Sequence, residues 1–295
     1  MKKTISADVE DLLENSDTGH AVFCYHSFGD QIFERLVCSG HSIVHFKPGD
    51  TPGCVTIDTM GFAGWASIAF IDVDKVTEVT VDAAAGLNFF RERSQKAISN
   101  NLSKYAQPEC SPAAVSGLYV FVALQTANDI VQRNAYVPMM TMLDWVVRRF
   151  AGTDHKVVVK RHPLCKDEDV QRTLRQLTQE FDHVVVSDAS IHEILSGAAA
   201  VFTVNSGVGS EAMFHAKPIY CFGRSDYAFV AHQITSYEGL VEATTPIRPR
   251  RSEELFLKFF YLYRTQYQIS DPRIMRARIG AVLDGRAATA AYFGP

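Results

Sequence analysis

Eight short runs of β-branched, aromatic and other apolar residues punctuate the chain: HAVFCYH (20–26), HSIVHF (41–46), CVTID (54–58), LYVFVAL (118–124), HKVVVKR (155–161), HVVVSD (183–188), AAVFTVN (199–205) and KPIYCF (217–222). In the second half these runs are continuously apolar, the pattern of strands covered on both faces of a parallel sheet. The segments between them predict helices over 136–150, 166–181 and 191–197 and a fourth ending at His215. Asp188 or Ser190 is placed to cap the third, and Ser206 or Ser210 to start the fourth. Strand and helix alternate as βαβ units. Two prolines in six residues, Gln107–Pro108–Glu109–Cys110–Ser111–Pro112, precede the strong strand at 118 and set a domain boundary there, giving unequal α/β halves at 1–114 and 115–295. The C-terminal stretches SEELFLKFFYLYRTQYQ and DPRIMRARIGAVLDG predict two closing helices, the first unusually aromatic.

Composition narrows the class. With 295 residues, 47% hydrophobic and 21% charged, the chain is long enough for a sizeable core and far from disordered or fibrous usage. A net charge of −4 provides no overall basic field for nucleic acid or acidic lipid, so an anionic ligand must be held locally. The first twenty residues lack the apolar core of a secretory signal, and no run reaches the 18 or so apolar residues of a membrane span. The six cysteines, Cys24, Cys38, Cys54, Cys110, Cys165 and Cys221, show no CxxC spacing, which points to free thiols of a cytoplasmic protein rather than a zinc or redox site.

Three strand ends carry candidate chemistry. In TVNSGVGSEAMFHAKPIYCFG (203–223) a strand passes through Asn205–Ser206–Gly207–Val208–Gly209 into a helix bearing Glu211. Such a turn gathers unpaired N–H groups suited to phosphate, Ser206 adds a hydroxyl, and Glu211 offers a carboxylate to a ribose diol. A tight connection with a capping serine gives the same pattern without a ligand. Lys160–Arg161–His162–Pro163 closes the strand at 155–161, and the proline holds His162 extended at the carboxyl edge of the sheet, where ligands of open α/β sheets sit. Gln125–Thr126–Ala127–Asn128–Asp129 follows the strand at 118–124 at the same edge, with helix capping by Asn128 or Asp129 as the plainer role. Three motifs at the ends of parallel strands converge on one crevice.

Together, QxxxD after a strand, (K/R)xHP, and NSxxGxEAxxxxKP resemble the bacterial capsule and lipopolysaccharide β-Kdo glycosyltransferases, which transfer 3-deoxy-D-manno-oct-2-ulosonic acid (Kdo) from CMP-Kdo. The likeness spans about 118–223, with IDTMGFAGWAS (57–67) and NNLSKYAQ (100–107) similar to weaker upstream motifs of the group. It implies a GT-B-like α/β fold, two Rossmann-like domains facing across a cleft, with the acceptor side in 1–114 and the nucleotide-sugar side, with the terminal helices, in 115–295. It further implies a retaining, metal-independent transfer with no cofactor beyond the donor, to a surface-polysaccharide or glycolipid acceptor. Asp129 would be the nucleophile and Gln125 its catalytic neighbour. Asp58 is the best sequence-visible second carboxylate, although the group favours Glu there. Lys160, Arg161, His162, Asn205, Ser206, Gly207, Gly209 and Glu211 would hold the nucleotide sugar. The chain departs from the group after the KP strand, where Ser225–Asp226–Tyr227–Ala228–Phe229–Val230–Ala231–His232 replaces a YxGWGLT-like run, leaving the acceptor open.

The alternatives are a UDP-sugar-dependent enzyme of the same scaffold, an epimerase or transferase, and a noncatalytic glycan-binding module. His192 and His215 lack the strand-end context of epimerase histidines, and the intact Gln125, Asp129, His162, Ser206 and Glu211 set argues against loss of activity. Arg248, Arg250 and Arg251 ahead of the aromatic helix raise peripheral contact with the inner membrane or with other assembly enzymes as a second role for that helix, whose first reading is interdomain packing.

Overall fold

The structure, a computed structural model, describes residues 21–25, 42–109, 116–126 and 129–283. Cys38, Cys110 and Asn128 lie outside the described residues, as does the predicted boundary at 114/115. All eight predicted runs form strands. A small sheet joins β1 (Ala21–Tyr25), β2 (Ser42–Pro48) and β3 (Val55–Asp58), with β1 parallel and β3 antiparallel to β2. The larger sheet holds β4 (Tyr119–Ala123), β5 (Lys156–Lys160), β6 (Val184–Val186), β7 (Val201–Thr203), β8 (Ile219–Cys221) and β9 (Ala231–Gln233). Its order is β6-β5-β4-β7-β8-β9, parallel throughout. This is the doubly wound order, with its reversal between β4 and β7.

The continuous apolar runs resolve into two faces. Along β4, Val120 and Val122 enter one core with α3 (Met139–Phe150) and α4 (Glu168–Glu180), while Tyr119, Phe121 and Ala123 enter the other. That second core contains α5 (Ile191–Gly197), α6 (Val208–Ala212) and the aromatic helix α8 (Glu253–Leu262). Strand residues alternate in direction, so a strand apolar at every position is a strand with helices on both sides.

Two predicted helix features are corrected, and a third, the helix ending at His215, is resolved into its parts. The helix expected at 136 begins at Met139, because Tyr136 and Val137 donate N–H bonds to the Phe222 carbonyl and Pro138 keeps the residue before it out of the helical region. The first N–H of α5 is capped by Gln107 Oε1 at 3.0 Å, not by Asp188 or Ser190; the Ser190 hydroxyl instead donates to Asn101 Oδ1. The fourth helix is only five residues of α-helix plus a 3-10 turn, Met213–His215.

Packing crosses between the halves in both directions. Helix α2 (Ala83–Ser99), after the short α1 (Val73–Thr77), lays Phe89 and Phe90 edge-on against Phe260, with Phe90 also against Phe256. After α7 (Tyr237–Ala243) and α8 the chain forms a π-helical turn, Tyr263–Tyr267, and Ile269 then pairs with Val55. The last helix, α9 (Pro272–Leu283), packs Met275 and Ile279 onto Val44 and Ile57 of the small sheet. The aromatic helix is therefore core: Leu257, Phe259, Phe260, Leu262, Tyr263 and Tyr267 are buried. Its neighbouring arginines are tied down by carbonyls, Arg250 to Ala228 and Ala231 and Arg251 to Phe229. Among the described residues no helix is long and apolar enough to cross a membrane.

Candidate functional site

Where the strand order reverses, the segments following β4 and β7 diverge and open a crevice at the carboxyl edge. Gln125 and Asn205 close its floor. Gln125 Nε2 donates to Asn205 Oδ1 at 2.9 Å, and the Asn205 N–H returns a bond to Gln125 Oε1 at 3.0 Å. Asn205 Nδ2 then donates to the carbonyls of Val131 at 2.7 Å and Arg224 at 3.1 Å. Both amides are buried and bonded to each other, so Gln125 builds the floor of the cavity that it also lines.

Around this floor one cavity is lined by Asp129, Lys160, Arg161, His162, Asn205, Ser206, Gly207 and Glu211 from the large sheet, by Lys47 and Asp50 from the small one, and by Ser103, Lys104, Tyr105 and Gln107 from the connecting segment. Two expected site residues stand elsewhere. Asp58 Oδ1 accepts from the N–H groups of Met60 and Gly61 and Oδ2 from the N–H and hydroxyl of Ser67, so its carboxylate is consumed in holding the turn after β3 and is 1% exposed. Gly209 faces the Tyr227 ring: a Cβ there would lie 2.2 Å from it, and the Tyr227 hydroxyl donates to the Ser206 carbonyl. Its lack of a side chain serves packing. Gly207, by contrast, has open space where a Cβ would point.

Asp129 extends one oxygen to the Val131 N–H at 3.2 Å, capping the 3-10 turn Ile130–Asn134. His162 Nδ1 accepts from the Leu164 N–H at 3.1 Å, and burial lowers its pKa, outweighing the opposing pull of Asp129. The ring is therefore neutral near pH 7 with its proton on Nε2, a donor that can serve a phosphate oxygen. Tyr105 stands edge-on to His162, with ring centroids 4.9 Å apart. The Lys160 ammonium is spent on the carbonyls of Asp188 and Ala189, leaving Arg161 and Lys104 as the cations placed for an anionic ligand.

The connecting segment is strapped to this wall. Besides the Asn101 and Gln107 bonds, His192 Nε2 lies 2.7 Å from the Leu102 carbonyl while its Nδ1 meets His215 Nε2 at 2.9 Å. Burial, assisted by His192, pushes His215 down to about 3, so the pair is neutral. The Ser103 hydroxyl donates to Glu211 Oε1. The carboxylate thus has an internal partner, which the helix position alone does not reveal.

Glu211 is 4% exposed, and burial pushes its pKa up to about 8, against the lowering effect of the Ser103 bond. The folded state holds this proton between pH 4.5 and 8 whereas the unfolded chain does not, so stability falls as pH rises through that window. Glu211→Gln, which mimics the protonated form, is expected to flatten that slope. Its stability relative to wild type should rise by a few kcal/mol between pH 5 and pH 9 in urea denaturation, and parallel curves would refute the assignment.

Beneath Glu211, Arg264 of the π-helical turn pairs with Asp50 at 2.6 and 2.7 Å and donates to the Ser210 carbonyl, while the Ser210 hydroxyl donates to Asp50 Oδ2. Neither Asp50 nor Arg264 stood out in the strand-end motifs. The visible trace was a lone arginine within the aromatic run LFLKFFYLYRTQYQ.

Comparison with known proteins finds relatives in sequence and in fold. Residues 87–272 match the model of the family described as capsule polysaccharide biosynthesis protein. The Escherichia coli capsule polysaccharide export protein KpsS is 28% identical over 180 residues, covering 56% of this chain and 46% of that one, so the match extends over less than half of its length. Two solved structures from Thermosulfurimonas dismutans KpsC superpose with the same architecture. The beta Kdo 2,4 transferase has a TM-score of 0.52 at 18% identity, over 81% of this chain and 78% of that chain. The beta Kdo 2,7 transferase has a TM-score of 0.53 at 19% identity, over 85% and 78%. The fold is the GT-B-like α/β arrangement, and with well over half its length matched, the chain belongs to the capsule polysaccharide biosynthesis protein family.

Proposed function

We propose that this protein is a retaining glycosyltransferase that transfers Kdo from CMP-Kdo to a capsule polysaccharide or glycolipid acceptor, without a metal, through a covalent intermediate on Asp129, and that it works in the cytoplasm. The observation that carries this reading is the amide-locked floor at the strand reversal, around which a carboxylate, a neutral histidine donor, cations and a helix-borne glutamate share one cavity. Glu211, holding its proton when the site is empty, can donate to one ribose hydroxyl and accept from the other. Ser206, the Gly207 backbone, His162 Nε2–H and Arg161 surround the place where a phosphate would rest, and their donors offset its charge as it leaves. Asp129 keeps Oδ2 outside its capping bond, so that oxygen is available to attack the anomeric carbon as the bond to the CMP phosphate breaks. An acceptor hydroxyl then displaces the aspartate from the opposite face, the one CMP left, and two inversions retain configuration.

The test is to incubate the protein with CMP-Kdo and follow CMP release and intact mass. Release accompanied by a mass gain of one Kdo residue supports the reading; no reaction with CMP-Kdo defeats it. A thermal-shift panel of CMP, UDP and GDP separates this donor class from UDP-sugar chemistry. CMP at about 100 times its dissociation constant is expected to add roughly 2.7 kcal/mol of stability, with UDP and GDP adding far less.

A further inference from the structure

The first half of such a reaction needs a nucleophile; the second needs a base for the acceptor hydroxyl. Asp58 does not supply it, since both its oxygens are bound within its own turn. The other cavity carboxylates are also spoken for: Asp50 is paired with Arg264 and accepts from the Ser210 hydroxyl, and Glu211 is protonated and bound by Ser103. One remains. Asp226 follows β8 in the segment Ser225–His232, where the chain departs from the run its resemblance group shows, and it lines the same cavity.

Its position is fixed from three sides. The Tyr267 hydroxyl of the π-helical turn donates to Asp226 Oδ2 at 3.0 Å. The ammonium of Lys47, at the end of β2, stands 3.7 Å from the same oxygen and brings the opposite wall of the cleft against it. The third constraint is the Asn205 amide nitrogen, which holds the carbonyls of Val131 and Arg224 at once. Val131 is two residues beyond Asp129, and Arg224 two residues before Asp226, so a single amide stitches together the two loops that carry the carboxylates. Asp226 Oδ1 takes no part in these contacts and is available to a ligand in the cavity.

From this geometry we infer that Asp226 is a further catalytic residue, the base that takes the acceptor's proton in the second half-reaction, an inference that rests on the donor reading above. The acceptor O–H bond breaks, its proton passes to Asp226 Oδ1, the oxygen bonds to the anomeric carbon, and the ester bond to Asp129 breaks with its electron pair returning to the Asp129 carboxylate. The first half-reaction makes no use of Asp226. The titratable groups facing it are Lys47, Tyr267, Tyr263, Tyr227 and Cys221, and Asp129 lines the same cavity.

The test uses Asp226→Asn, which preserves shape and the Tyr267 bond, beside Asp226→Ala, with CMP-Kdo as donor. Wild type and both variants are compared for CMP burst, mass of the trapped species, and steady-state CMP release with and without sodium azide, an anionic nucleophile that needs no base. The expected result is a CMP burst and a sugar ester on Asp129 in Asp226→Asn, steady-state turnover down at least about 100-fold, and azide restoring turnover with formation of a glycosyl azide. Turnover within a few-fold of wild type would overturn the assignment, as would a variant that remains folded and binds CMP yet forms no adduct. If wild type itself releases no CMP, the donor reading fails and this inference falls with it; if wild type reacts and Asp226→Asn turns over normally, only this inference fails.

Discussion

Asp129→Ala is expected to abolish transfer from CMP-Kdo while leaving CMP affinity nearly unchanged. The carboxylate is proposed to act on the anomeric carbon of the sugar, and no contact to the nucleotide is asked of it. The structure gives Asp129 a second task, capping the turn Ile130–Asn134 through the Val131 N–H, so the alanine variant should also lose about 1 kcal/mol of stability. The two effects separate in Asp129→Asn. An amide oxygen can still accept from Val131, so stability should recover, but an amide is a poor nucleophile and turnover should not. Peptide mass spectrometry of wild type given donor without acceptor should locate the sugar ester on a peptide containing Asp129. Substantial transfer by Asp129→Asn, or an ester mapped to Asp226 or Glu211, would show that the nucleophile is another residue.

The largest effect on stability is expected from Arg264. Arg264 is 7% exposed, its Nη1 bonds both oxygens of Asp50, itself 5% exposed, and its guanidinium lies 4.0 Å from the Phe214 ring centroid. Arg264→Met removes the cation and leaves Asp50 buried against Ser210 without its counter-charge, which typically costs about 3–5 kcal/mol. Asp50→Ala should cost a similar amount by stranding the arginine. The double variant should be more stable than the sum of the two losses implies, because no orphan charge remains. Urea denaturation of the four proteins closes this cycle, and additive losses would mean that the pair is not coupled. Because Arg264 and Asp50 together hold Ser210 in the helix that bears Glu211, the Arg264 variant is also expected to bind CMP more weakly than wild type.

The sequence by itself determined the strand-forming runs, the parallel sheet from 118 onward and the three strand-end motifs. Each of these is written in local chemistry: uninterrupted β-branched residues demand cover on two faces, and a proline after His162 or glycines after Asn205 shape the chain within a few residues. The same logic missed β9, three residues long, and α2, whose burial depends on the remote aromatic helix α8. It also could not show partners far along the chain. Gln125 and Asn205 are 80 residues apart, yet the two amides bond each other at the cavity floor. Asp58 looks like a catalytic carboxylate until the fold returns Ser67 to it. Asp50 meets Arg264 across 214 positions, and Lys47 meets Asp226 only because the two sheets face each other. Sequence can state which side chains are capable of acid, base or nucleophile chemistry. Which of them keeps an oxygen free for it was decided by tertiary structure, because a buried carboxylate takes whatever donors the packed elements bring to it and is available to a ligand only with what is left over.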